Sequence, residues 1–158
     1  MMPVAVVLGS LTVRGRPEQV SRARKFVAAL AGPEGPGGPE GPVAETAALL
    51  TSELVTNAVL HTSSGREGGT VTVVVIDVPA GLLVEVIDNG SLDGGPEVSG
   101  DRYAAEGHGL FLVEQLAARW GFLQDATGTT VWFQLGAEDD PAEVDPARDE
   151  EPGRAGDK

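Results

Sequence analysis

The segment ELVTNAVLH, residues 53–61, places three polar side chains four residues apart within an otherwise apolar stretch. Glu53, Asn57 and His61 would lie on one face of a helix, because residues four apart stack along a helix. A helix that is apolar on nearly all sides is normally buried, and an unpartnered buried carboxylate costs on the order of several kcal/mol. A divalent metal or a ligand would supply the partner, and the amide oxygen of Asn57 suits Mg²⁺ beside phosphate oxygens. The alternative is that Glu53 faces solvent and Asn57 makes a structural hydrogen bond.

A second candidate lies in the sequence IDNG, residues 87–90, at the end of a predicted strand. The period of two puts Asp88 on the same face as Val84 and Val86, so its carboxylate points into the layer between sheet and helices. A carboxylate there needs a donor, and the exocyclic amine of a purine would serve. Gly90 would let the backbone approach a ligand closely. An ordinary Asp-Asn-Gly turn is the alternative.

Two glycine-containing segments are further candidates for ligand binding. The sequence GHGL, residues 107–110, begins a predicted helix, where free backbone amides and the helix dipole favour phosphate. The sequence GTTV, residues 128–131, enters the last predicted strand. Helix initiation explains the first segment equally well, and a hairpin turn is the better explanation of the second segment taken alone.

Hydrophobic periodicity predicts the elements that position these residues, in the order β, α, loop, α, β, β, lid, α, β, β. Strands that come in hairpins rather than singly between helices favour an α+β two-layer sandwich, with a mixed, largely antiparallel sheet and helices on one face. A third helix is expected to carry one apolar stripe from Leu110 to Trp120. The predicted elements are a strand at 10–16, a helix that Pro17 opens and that runs to 30, a helix at 43–61, strands at 70–78 and 82–88, a lid loop at 89–106, a helix from Gly107, and a hairpin of strands 120–124 and 129–135.

Length and composition set the class of protein. The 158 residues and 41% hydrophobic content predict one globular domain, residues 1–136, with an acidic disordered tail at 137–158. The sequence GPEGPGGPEGP, residues 32–42, is expected to be an extended loop. The net charge of −13 argues against a nucleic-acid partner. The absence of cysteine and of a signal or membrane-spanning pattern predicts a cytoplasmic protein that does not bind a membrane.

The order of the motifs is more specific than any one of them. A helix with ELVTNAVLH, a strand ending in IDNG, a Gly-rich lid, GHGLFLV entering a helix and GTTVWF on the last strand together resemble the GHKL ATPase superfamily, the ATP-binding fold of histidine kinases, gyrase and heat-shock chaperones. Within it, ELVTNAVLH and GHGLFLVEQLAARWG look most like the anti-sigma-factor serine/threonine kinase branch, whose stand-alone actinobacterial members have the same domain size. The resemblance covers about residues 8–136.

The resemblance implies a role for each matching position. Asn57 would coordinate Mg²⁺ between the ATP phosphates, and Glu53 would be the general base that takes the proton from an attacking serine or threonine hydroxyl. Asp88 would accept from the adenine amino group, with Thr130 nearby. His61 would tighten helix packing. The remaining nucleotide-binding positions would be Gly90, Gly107, His108, Gly109 and Leu110.

The implied function is that of an ATP- and Mg²⁺-binding regulatory serine/threonine protein kinase. It would act in a partner switch by binding a sigma factor or by phosphorylating a STAS-type antagonist, and the resemblance also implies a homodimer. Two departures from the family pattern are the DNGSL sequence after Ile87, which lacks a second glycine, and Thr129 where a Lys often stands. The alternative is a catalytically weak or inactive module that binds ATP and sequesters a protein partner.

Overall fold

The computed structural model describes residues 4–31, 42–90 and 108–136, and these ranges contain five strands and three α-helices. The predicted Gly/Pro-rich loop up to residue 41, most of the predicted lid and the acidic tail lie outside the described residues. The strands are β1 (Val6–Arg14), β2 (Thr70–Val78), β3 (Gly81–Asp88), β4 (Arg119–Asp125) and β5 (Gly128–Gly136), and the α-helices are α1 (Val20–Ala31), α2 (Pro42–His61) and α3 (His108–Leu116).

The strands form one sheet in the order β1-β2-β3-β5-β4, and all four pairings are antiparallel. The predicted α+β fold is confirmed, and the sheet described is antiparallel throughout rather than mixed. The hairpins were predictable because β3 and β5 alternate between buried and half-exposed residues along their length, and β2 does so over residues 70–76.

The first strand is longer than predicted at its start and shorter at its end. It begins at Val6 rather than at residue 10 and ends at Arg14. Residues 6 and 7 pair with β2 across a register shift between Val7 and Gly9, and this shift breaks the alternation that the sequence analysis used. At Gly15 the chain leaves the strand, and the backbone amide of Gly15 donates to Gly69 O at 3.1 Å.

One face of the sheet carries the core. Val73, Val84 and Phe133 lie on this inner face with no solvent exposure, and α1 and α2 cover them. Pro17 begins a short 3₁₀ turn, Pro17–Gln19, so α1 starts at Val20 and not at the proline.

The α2 helix is the central helix of the domain, and its predicted extent is confirmed within one residue. It packs against α1, α3 and the sheet. Leu50, Leu54 and Val55 are buried at 0–2% exposure, whereas Leu60 is 59% exposed. Within the described chain, residues 43–61 are the one helix long and apolar enough by composition to cross a membrane, and here this helix serves as a core helix.

The third helix ends earlier than predicted. It stops at Leu116, and Trp120 lies in β4 opposite Phe133 rather than on a helical stripe. The switch occurs at Ala118, whose amide donates to Gln134 O at 2.8 Å and so joins the sheet instead of continuing the helix. The predicted strand from residue 120 is confirmed, whereas the placement of Trp120 on the helical stripe was wrong, because the apolar spacing continues past the point where the backbone finds strand partners.

Candidate functional site

Asp88 ends β3 on the inner face of the sheet and is only 3% exposed. Its Oδ1 accepts hydrogen bonds from the amide of Gly90 at 2.7 Å and from the amide of Thr129 at 3.3 Å. These two amides come from different strand ends, so they fix the carboxylate where β3 and β5 meet. The inward orientation agrees with the period-two argument from the sequence.

Thr129, rather than Thr130, accompanies Asp88 on this face. Thr129 pairs directly with Asp88 across β3 and β5 and is 1% exposed, whereas Thr130 pairs with Ile87 and is half-exposed on the opposite face. The placement of Thr130 beside Asp88 is therefore corrected, because neighbouring strand residues point to opposite faces. Within the described residues, the Thr129 hydroxyl is buried without a hydrogen-bond partner.

The turn between β4 and β5 holds Thr129 in place. Asp125 Oδ1 accepts from the Thr127 amide at 2.8 Å, the Thr127 hydroxyl at 2.7 Å and the Gly128 amide at 3.1 Å. The hydrogen bond from the Thr127 side chain, followed by the two backbone hydrogen bonds, lowers the pKa of Asp125 below its ordinary value. A Cβ on Gly128 would lie 1.9 Å from Asp88 O, so only glycine fits this approach of the two strands.

The loop after Asp88 is tied to the end of α2. The amide of Asn89 donates to Ser64 Oγ at 2.8 Å, and the amide of Ser63 donates to Gly90 O at 2.8 Å. Asn89 Oδ1 accepts from the Thr70 amide at 2.8 Å. Gly90 has φ +97°, a backbone conformation that favours glycine. These bonds hold the C-terminal end of α2 against the strand end that carries the carboxylate.

Glu53, Asn57 and His61 are all half-buried on α2. His61 is the last residue of the helix, two residues before the Ser63 contact with Gly90. At 1.5 Å rise per residue, Asn57 lies about 6 Å and Glu53 about 12 Å further along the helix axis. The stripe therefore begins beside the Asp88 end of the sheet and leads away from it, and its half-buried side chains are neither enclosed in the core nor fully in solvent.

The first turn of α3 has backbone amides that are free to bind a ligand. Its described backbone begins at His108 and continues through Gly109 and Leu110, and the helix packs against α2 and β4. The first amides of a helix have no partner within the helix, so they can donate to an anion. The side chains of these three residues, and the whole of Gly107, lie outside what the structure describes.

The polar side chains of α2 suit a metal ion that is coordinated partly by the protein and partly by a bound ligand. Within the described ranges, no three His, Cys, Asp or Glu side chains are grouped so that they could hold a metal ion by themselves. Mg²⁺ is commonly held by one or two protein groups together with phosphate oxygens. The Asn57 amide fits that second kind of site, and the Glu53 carboxylate lies one turn away on the same helix.

Comparison of the sequence with known protein families identifies the family of this chain. The family described as "Histidine kinase-like ATPase domain" matches residues 13–135, which is more than half of the chain. The chain belongs to this family. A search of curated proteins found no significant match.

Membership makes this chain an ATP-binding domain of the histidine kinase-like ATPase type. The Asp88 end of the sheet could accept a purine, because a buried carboxylate can accept from an exocyclic amine and the Thr129 hydroxyl, which has no partner among the described residues, lies directly beside it. Sequence analysis missed Thr129 and Ser64. Counting inward positions back from Phe133 and Val131 would have found Thr129, whereas no local pattern in the sequence points to Ser64.

Proposed function

We propose that this histidine kinase-like ATPase domain is a regulatory serine/threonine protein kinase of the anti-sigma-factor type. It binds ATP with Mg²⁺ and acts in a partner switch, either by binding a sigma factor or by phosphorylating a STAS-type antagonist. The same proposal places the domain at residues 1–136, in the cytoplasm, and includes a homodimer. Family membership and the motif order of the sequence support it.

The observation that carries the proposal is the placement of the α2 stripe beside Asp88. Hydrogen bonds from Ser63 to Gly90 and from Asn89 to Ser64 hold the helix end and the strand end together. A nucleotide whose base meets Asp88 would extend along the stripe. Its phosphates would reach the Asn57 level, and Glu53 would lie one turn beyond.

Each residue has a role in this arrangement. Asp88 accepts from the adenine amine, Thr129 takes the second base contact that the sequence analysis gave to Thr130, and Asn57 holds Mg²⁺. Glu53 receives the proton of the attacking hydroxyl. Phosphoryl transfer depends mainly on positioning and charge neutralisation, so a base, a metal donor and backbone amides are sufficient machinery. Those amides come from Gly90 and from residues 107–110.

Two substitutions separate binding from chemistry. Asn57→Ala should weaken Mg²⁺-dependent ATP binding in calorimetry, whereas Glu53→Gln should leave ATP affinity nearly unchanged and lower phosphate transfer to STAS-type proteins by roughly 10²–10⁴-fold. Glu45→Gln is the matched control, because Glu45 lies on the same helix and is exposed in its first turn. ATP binding that ignores both Mg²⁺ and Asn57 would contradict the proposed metal site.

The second candidate is an ATP-binding module that sequesters a partner without useful kinase activity. The residue at position 129 favours it, because a buried threonine stands where the family often carries a lysine, and one cation is thereby missing. The Glu53→Gln variant decides between the two functions. Partner regulation that is unchanged in this variant would reject the kinase and leave the sequestering module.

A further inference from the structure

A second concave site lies at the edge of the sheet, apart from the residues assigned to ATP. It is a cleft of about 890 Å³ where the end of β1, the 3₁₀ turn before α1 and the turn before β2 meet. Arg14, Arg16 and Arg66 line it, together with Gly69 and Thr70. None of the residues proposed for the nucleotide site lines this cleft.

The three arginines give the cleft its chemistry. Among the described residues, none of the three guanidinium groups has a hydrogen bond or an ion pair, although Glu18 and Glu67 also line the cleft. Guanidinium groups bind carboxylates through paired N–H donors, so unpaired arginines around a cavity favour an acidic ligand.

The cleft also lies at a positively charged end of a protein whose net charge is negative. Of the seven Lys and Arg residues in the described part of the chain, six lie within residues 14–25 or at Arg66. Residues 14–25 contain one acidic residue, Glu18. The chain as a whole carries −13, so this end contrasts in sign with the rest of the sequence.

The complementary charge is present in the chain itself. Residues 137–158 contain nine acidic and three basic residues. They follow Gly136, which pairs with Gly81 at the opposite end of the sheet from the pair Arg14 and Thr70. Strand rise and strand spacing put about 30 Å between Gly136 and the cleft. Twenty-two residues can span up to about 70 Å, so the segment can reach the cleft.

We propose that the acidic segment 137–158 docks in the cleft lined by Arg14, Arg16 and Arg66. Carboxylates of the segment pair with the guanidinium groups, and the covalent tether raises their effective concentration, which for short linkers reaches the millimolar range. The docked segment lies next to Ser64, whose backbone packs against Gly15 and whose hydroxyl holds Asn89. This inference does not depend on the kinase assignment.

A paramagnetic label on the segment tests the contact in the full chain. The protein contains no cysteine, so Val144→Cys provides a single attachment site near the middle of the segment. In the docked state, NMR signals of the amides from Gly65 to Thr70 are selectively broadened. In 1 M salt, where the screening length is about 3 Å, the broadening is lost.

Paired variants locate the contact. Arg14→Gln with Arg66→Gln should lower the ratio of docked to undocked segment by roughly three- to ten-fold, the effect of one or two surface ion pairs. The matched control is Arg22→Gln with Arg24→Gln, two exposed arginines on α1 outside the cleft, and it should retain the broadening.

Three results would overturn the proposal. They are broadening that is absent at low salt, broadening spread evenly over the surface, and an equal loss in the control pair, which would mean diffuse attraction to the basic end. Unchanged thermal unfolding of each variant shows that the fold is intact, as expected for arginines without described hydrogen bonds.

Discussion

Replacing Thr129 by Val should make the protein more stable and its ATP binding weaker. Thr129 is 1% exposed and its buried hydroxyl has no hydrogen-bond partner among the described residues, so the folded protein bears the cost of removing this group from water. That cost is about 1–3 kcal/mol for a neutral polar group. Val has nearly the same shape and a similar preference for strands, so Thr129→Val should recover about 1–2 kcal/mol.

In the proposed function the Thr129 hydroxyl contacts the nucleotide base, and we therefore expect the two effects to have opposite signs. At this chain length, 1 kcal/mol raises Tm by about 2–4 °C, which thermal unfolding without nucleotide measures directly. A lost hydrogen bond of about 0.5–1.5 kcal/mol should raise the Kd for ATP by roughly two- to ten-fold, measured by calorimetry.

Two control variants test whether the Thr129 hydroxyl itself causes the expected change in ATP affinity. Thr51→Val removes another buried hydroxyl without a described partner, on α2, and should raise Tm without changing Kd. Thr130→Val changes the next residue on the opposite face and should leave the Kd unchanged. If Thr129→Val lowers Tm, or raises it while Kd stays at the wild-type value, the reasoning that this hydroxyl serves the nucleotide is refuted.

Three further substitutions test how the site is built. Gly128→Ala should destabilise the protein by more than about 2 kcal/mol, measured by urea unfolding, because the new Cβ would lie 1.9 Å from Asp88 O; a loss below about 0.5 kcal/mol would contradict the close approach. Ser64→Ala should cost about 1–3 kcal/mol and weaken ATP binding, because it leaves the Asn89 amide without its acceptor, and equal calorimetric affinity would separate this contact from the site. Asp125 has a lowered pKa in the folded state, so its ionised form contributes stability that is present above the ordinary pKa of 3.8 and is lost as pH falls through the folded pKa. Asp125→Asn should therefore flatten the decrease of Tm below about pH 4, and an unchanged acid profile would argue against this contribution.

Much of the fold was predictable because its signals are local. In the strands at 70–78 and near 82–88, buried and half-exposed residues alternate over residues 70–76 and 82–88, and the residues of the turn are strong breakers, so the strands and their hairpin follow from the sequence alone. The start of β1 was missed because a register shift interrupts the alternation. The end of α3 was missed because Ala118 exchanges a helical partner for Gln134, a residue distant in sequence.

Some features of the candidate site were likewise predictable from local sequence patterns, and others were not. The stripe of Glu53, Asn57 and His61 follows from helical spacing, and the inward direction of Asp88 follows from strand alternation. The contact between Ser64 and Asn89 joins a turn to a strand end 25 residues later, so no local pattern could predict it. Thr129 is an intermediate case. Strand alternation places it on the same face as Phe133, but the family resemblance pointed to Thr130 instead.

The position of Asp88 in the sheet has a consequence for the thermodynamics of binding. It stands at the end of β3, the middle strand of five, where it pairs with Thr129 of β5 and its carboxylate accepts from the amides of Gly90 and Thr129. A group held in this way has lost its conformational freedom during folding, so a ligand does not have to order it again. We therefore expect the base to meet a rigid receptor, with little unfavourable entropy arising from Asp88 when the nucleotide binds.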